Sequence, residues 1–190
     1  MGFRLVLVGI PGVGKSTVVD KFIVQFPGAR LVTFGSVMLK EAKSKKWVKD
    51  RDQMRKLPVG KQKKLQKAAA TAISRMREKV VVVDTHLFIR TNEGFWPGLP
   101  FEVVRALQPT HLVLVEASPE EVAKRRSADA TRTRDSITPG ALSQELQLAR
   151  SFLTVASTLT GAPMLIVTNA EGKADEAASV VAEMLRSASS

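Results

Sequence analysis

The chain has 190 residues, no cysteine, two histidines and a net charge of +11, with 44% hydrophobic residues. That length and apolar fraction support one domain with a sizeable core, while the missing thiols exclude disulfides and cysteine metal sites. No apolar run approaches the ~20 residues that span a bilayer, and neither a signal peptide nor a myristoylation pattern opens the sequence, so the expectation is a cytoplasmic protein without a membrane partner.

Phe3 to Val8 is mostly Leu and Val, the pattern of a buried parallel strand. It runs into Gly9-Ile10-Pro11-Gly12-Val13-Gly14-Lys15-Ser16-Thr17, which satisfies the phosphate-loop pattern of two glycines bracketing four residues, then lysine and serine. Gly9, Gly12 and Gly14 can take backbone angles other residues avoid, so successive N–H groups turn inward around a polyphosphate. Lys15, expected on an exposed loop, supplies a point charge at the β/γ-phosphates, and Ser16 offers a hydroxyl to Mg²⁺. Behind the loop, Val18, Val19, Phe22, Ile23 and Phe26 recur at helical spacing. A glycine-rich turn would match the short pattern but not this strand–loop–helix order.

Arg30 to Phe34 reads as a second short strand, followed by helices at about Val37 to Lys46, Arg51 to Leu57 and Lys61 to Lys79. Lys40 to Lys67 holds twelve Lys and Arg against three acids. This run reads as a solvated helical face, as a nucleic-acid groove, or as a funnel for small anionic phosphates. The first and third readings overlap.

Val80 to Val83, ending in Asp84, is the clearest strand, because four consecutive valines suit a sheet interior and not a helix. A carboxylate closing an apolar strand is costly unless it meets a cation or a donor; Asp84 is therefore a candidate to hold Mg²⁺ or its water, against the alternative of a turn aspartate. His86, two residues on, reads as a site-lining or hydrogen-bonded residue rather than a catalyst. Strands at His111 to Glu116 and Met164 to Thr168 make five, and helices at Phe101 to Leu107, Pro119 to Ser127, Ala141 to Leu159 and Ala174 to Arg186 fill the gaps. The alternation implies an α/β fold, a five-stranded parallel sheet flanked by helices, with ligands beyond the carboxyl ends of the strands. Arg90, Arg125, Arg126, Arg132 and Arg134 cluster toward that edge, and guanidinium forks match phosphate oxygens. The segment 127–136, poor in apolar residues, reads as a short arginine-bearing lid that excludes water, with a solvated loop as the competing account.

Taken together, the loop at 9–17, Phe34-Gly-Ser-Val-Met38, Asp50-Arg-Asp-Gln-Met-Arg-Lys-Leu57, Asp84-Thr-His86, Pro97-Gly-Leu-Pro100, Thr131-Arg-Thr-Arg-Asp135 and Asn169-Ala-Glu-Gly172 resemble the archaeal type of adenylate kinase, almost end to end. The resemblance implies a phosphate-loop kinase with residues 1–190 as one domain, 35–67 as a monophosphate-binding arm and 127–136 as lid. It implies reversible transfer of the γ-phosphoryl group of Mg·ATP to AMP, giving two ADP. Carried over, the 9–17 loop would hold ATP, Ser16 and Asp84 would face Mg²⁺, and Gly35, Ser36 and Met38 would line the AMP pocket. Arg55 and Arg90 would grip the AMP phosphate, Arg132 and Arg134 would descend with the lid, and the Asn169 turn would pass the adenine of ATP. Ser36 stands where some relatives have an acid or threonine, and the lid lacks metal-binding cysteines. Relatives often associate as trimers, so a homo-oligomer is the expected self-partner. Kinases of other nucleoside monophosphates or of small metabolites share the loop and lid. An RNA- or ribosome-associated ATPase is disfavoured by 5% aromatic residues and no tyrosine, which leave few stacking platforms for bases.

Overall fold

The computed structural model describes residues 2–91, 93–128 and 138–188. In chain order the elements are β1 (Phe3–Val8), α1 (Lys15–Gln25), β2 (Ala29–Thr33), α2 (Phe34–Ser44), α3 (Arg51–Arg55), α4 (Val59–Ser74), β3 (Val80–Asp84), β4 (Phe88–Thr91), β5 (Gly94–Pro97), α5 (Phe101–Leu107), β6 (His111–Glu116), α6 (Pro119–Ala128), α7 (Pro139–Thr160), β7 (Met164–Thr168) and α8 (Ala174–Ser187). Five strands form one parallel sheet in the order β2-β3-β1-β6-β7. Apolar runs go where both faces are covered: the valines of β3 and all of β6 are buried, while edge strands β2 and β7 are half-exposed. Each such Val or Leu stabilises the fold by about 1.5–3 kcal/mol. The helices pack in two groups, α1 with α8, and α4, α5 and α7 in a row.

Several boundaries differ from the sequence reading for local reasons. Phe34 is not the end of β2 but the first residue of α2, where its ring is buried. The same helix stops at Ser44, because Lys46 adopts a left-handed φ of 57° that no helix continues through. Helix α4 begins directly after Pro58 and ends at Ser74, whose carbonyl is taken by the Arg4 guanidinium at 2.7 Å, short of the expected Lys79.

The sequence reading missed a two-stranded antiparallel hairpin, β4–β5, which pairs Arg90 with Phe95. Its strands are four residues each, with Phe95 exposed on the face it shares with Arg90 and Ile89 exposed on the opposite face. Phe88 packs edge-on against Phe95 with ring centroids 5.0 Å apart, and Arg90 lies over Phe95 at 5.9 Å. Separately, Ala42, Val48, Met54 and Leu65 form a small core of their own, flanked by Met38, Leu39, Trp47 and Leu57. That second core ties α2, α3 and α4 into a unit beside the main sheet.

Candidate active site

Parallel strands bring their carboxyl ends to one edge, and there the 9–14 loop leaves β1 and enters α1. Gly12 and Gly14 have φ of 92° and 80°, angles at which a side chain is strained. Gly9 needs its lack of side chain for another reason. Its φ is not left-handed, but a Cβ there would stand 2.8 Å from both Val115 O and Val13 Cγ2. Ile10 and Val13 are buried and anchor the loop to the core, while Pro11 is exposed. Gly14 caps α1 with no side-chain hydrogen bond, and no acid occupies the first turn, so the helix presents its positive end and its free amides. Ser16 and Thr17 are exposed in that turn.

Lys15 is not the exposed loop lysine that the sequence suggested. Its side chain is 9% exposed and its ammonium sits on Asp84 Oδ1 at the end of β3. Burial pushes this ammonium down from 10.5 to about 8. Oδ1 itself is sealed from solvent and, among the described residues, accepts no hydrogen bond beyond that ion pair.

Side chains from α6 and from the segment after β7 hold the loop from behind. Asn169 Nδ2 donates to Val13 O at 2.8 Å, Arg125 donates to Val13 O at 3.2 Å and to Asn169 O at 3.1 Å, and Arg126 Nε donates to Pro11 O at 2.8 Å. Carbonyls satisfied in this way leave the loop amides for a ligand. The Asn169–Gly172 turn is in turn fastened to α6: Glu171 N donates to Glu121 Oε1 at 2.6 Å, and Lys124 pairs with Glu171 at 3.0 Å.

A second basic surface faces the start of α2. Gly35, Ser36 and Met38 occupy its first turns, and Arg51 Nη2 donates to Ser36 Oγ at 3.1 Å. A Cβ on Gly35 would lie 3.9 Å from both terminal nitrogens of Arg51. Arg55, expected here, instead pairs with Asp52 at 3.3 Å in an exposed position. Arg90, on β4, reaches Glu145 Oε1 at 3.4 Å. Arg132 and Arg134 lie outside the described residues, as does most of the expected lid.

A family model described as an AAA domain matches residues 8–143. Shikimate kinase from Bacteroides thetaiotaomicron superimposes over 97% of this chain and 98% of its own with a TM-score of 0.61, at 12% identity, which is a likeness of fold. In sequence, the adenylate kinase of Thermoplasma acidophilum is 42% identical over 92% of this chain and 94% of its own. Those of Methanopyrus kandleri and Methanocaldococcus jannaschii are 38% and 39% identical, covering 98% and 96% of this chain and 100% and 97% of theirs. The chain belongs to the adenylate kinase family.

In this adenylate kinase family member, sequence reasoning missed three residues at the site. Arg51 stands unsingled inside a run of twelve basic residues, from which the family resemblance picks out Arg55 instead. Glu145 carried a readable signal: it interrupts the apolar stripe of Leu142, Leu146, Ala149 and Leu153, where a charge has to be paired. Glu116 is a third. It ends β6 buried, held by Arg150 through two bonds of 2.8 and 2.6 Å that raise the Arg150 pKa above its ordinary value.

Proposed function

We propose that this protein catalyses ATP + AMP = 2 ADP in the cytoplasm. The observation that carries the reading is the Lys15–Asp84 pair set at the mouth of a glycine loop whose Pro11 and Val13 carbonyls are already engaged, in a chain with full-length kinship to adenylate kinases. The reaction joins two polyanions. An AMP phosphate oxygen is already an anion near neutral pH, so no general base is called for. It forms the new bond to the γ-phosphorus, and the β–γ bridging oxygen leaves with ADP. The protein's tasks are positioning and positive charge.

In this reading the loop amides and the N-terminal end of α1 receive the β- and γ-phosphates, and Lys15 exchanges Asp84 for phosphate oxygens. Ser16 and Asp84 suit Mg²⁺: both offer hard oxygens, and Mg²⁺ takes one or two protein oxygens together with substrate phosphates. When bound, Mg²⁺ neutralises charge on the transferring phosphates. The AMP phosphate goes to Arg90 and the start of α2, with Arg51 joining Arg55 as a candidate contact. The small core of Ala42, Val48, Met54 and Leu65 lets residues 35–67 act as one arm over the acceptor. Arg132 and Arg134 are assigned to a lid that closes over the phosphates; the adenylate kinase lid is a known case of such closure.

Incubation with Mg·ATP and AMP tests this directly. Two ADP should form per AMP consumed, with CMP, UMP and GMP far poorer acceptors. ATP hydrolysis without AMP-dependent ADP would overturn the assignment.

A further inference from the structure

Glu145 is a carboxylate in the wrong kind of place. It sits in the buried stripe of α7, three residues after Leu142 and four before Ala149, and is 7% exposed. A hydrophobic residue at such a position usually stabilises a fold as well as or better than a buried ion pair does. What Glu145 touches gives a different reason for it. Oε2 accepts from Arg126 Nη2 at 2.9 Å, and Oε1 lies 3.4 Å from Arg90 Nη1.

The two arginines are held unequally. The Arg126 side chain is 9% exposed, its Nε donates to Pro11 O at 2.8 Å, and its Cγ would stand 2.9 Å from a Cβ on Gly12. A guanidinium buried this deeply needs a counter-charge to stay, and Glu145 is the carboxylate that supplies it. Arg90 is 62% exposed and meets Glu145 only at the long limit of a hydrogen bond. It can leave without exposing a buried charge.

We infer that Glu145 is a positioning residue of the phosphoryl-transfer site: its carboxylate fixes Arg126 against the backbone of the phosphate loop and, through its other oxygen, parks Arg90 until an acceptor phosphate draws it away. This rests on the kinase reading above. The consequence is a split between substrates. Loss of the charge frees Arg126 and slackens the loop that receives ATP, whereas it removes a competitor for Arg90 on the acceptor side.

The test is Glu145→Gln, which keeps shape and removes charge. Binding of Mg²⁺ with a non-hydrolysable ATP analogue, measured by calorimetry, should weaken on the order of 10-fold, while the KM for AMP does not rise. Analogue binding involves no turnover, so it remains readable even if AMP proves not to be the acceptor. Glu145→Asp, which keeps the charge, should recover part of the loss. Glu145→Gln combined with Arg126→Ala should bind the analogue no worse than Arg126→Ala alone. Equal weakening of both nucleotides, unchanged analogue binding, or additive losses in the double variant would each overturn the inference. Should Glu145→Gln fail to fold by circular dichroism, the same comparison is made between Glu145→Asp and the parent, with a smaller loss expected on the ATP side alone.

Discussion

Lys15 and Asp84 meet across neighbouring strands. The lysine opens the helix that follows β1, the aspartate closes β3, and the two strands pair so that Leu7 lies beside Asp84. The register therefore delivers the carboxylate to the lysine before any nucleotide arrives. Replacing Lys15 by Met should lower kcat by about 10²–10³-fold, the scale seen when one preorganised charge or donor is removed from a transfer site. It should also cost stability, about 1–3 kcal/mol, because Met has no N–H and leaves Asp84 Oδ1 buried without a donor, whereas even an uncharged lysine amine can donate to it. Urea unfolding and steady-state assays read the two effects separately; near-normal turnover in a folded Lys15→Met protein would remove Lys15 from the chemistry.

The same lysine sets an expected pH profile. Burial holds its pKa near 8, so the free enzyme loses this charge well below the 10.5 of an ordinary lysine. Since kcat/KM follows ionisations of the free enzyme, kcat/KM for ATP should decline above about pH 8. Unfolding does not explain such a decline. Between about pH 8 and 10.5 the unfolded chain binds this proton more tightly than the folded one, so the lysine's contribution to stability rises with pH through that window. A profile flat to pH 10, alongside constant thermal stability, would show that Lys15 stays charged by other means.

Arg90 gives the acceptor-side counterpart. It is on the hairpin, stacked on Phe95 and largely exposed, with only a loose hold on Glu145. A hydrogen bond to a charged group is worth about 1.5–3 kcal/mol, so Arg90→Ala should raise the KM for AMP roughly 10- to 100-fold. ATP binding should change little, because Arg126 keeps its contacts with Glu145 and Pro11. Losses of equal size for both nucleotides would mean that Arg90 serves the donor.

Elements read well from sequence where one local pattern decided them. The valines of β3 can do little but form an interior strand, and the glycine loop announces itself because a cradle of amides demands residues without side chains at fixed spacing. Contacts between distant segments were less legible. Asn169 reaches Val13 across 156 positions, and Arg126 reaches Pro11 across 115. Neither partner choice has a periodicity to betray it. Arg51 and Arg55 stand one turn apart on the same face of α3, so which of them meets Ser36 depends on where that short helix lies along its axis, which its own residues do not encode. Gly9 was rightly marked but for the wrong reason, since crowding by Val115 and Val13, not its φ, requires it.

Crowding also explains a glycine that the sequence reading noted only as part of a motif. Gly98 donates its N–H to Leu87 O at 2.7 Å, closing the base of the β4–β5 hairpin. A Cβ at that position would lie 2.1 Å from His86 O and 3.0 Å from the His86 carbonyl carbon. Both obstacles are backbone, so no side-chain rotation relieves the clash. The hairpin base has to open, and with it the placement of Arg90. Gly98→Ala should therefore destabilise by about 1–3 kcal/mol, the usual cost of overpacking, and should raise the KM for AMP more than that for ATP. Gly28, at a tight turn where an added Cβ meets nothing within 4 Å, supplies the contrast. Its φ of 104° makes Ala costly there through backbone strain alone, so Gly28→Ala should lose stability without shifting either KM. Denaturant curves and substrate titrations on the two variants separate a crowding effect that reaches the acceptor site from one confined to the fold; matching kinetics in both would detach Gly98 from acceptor binding.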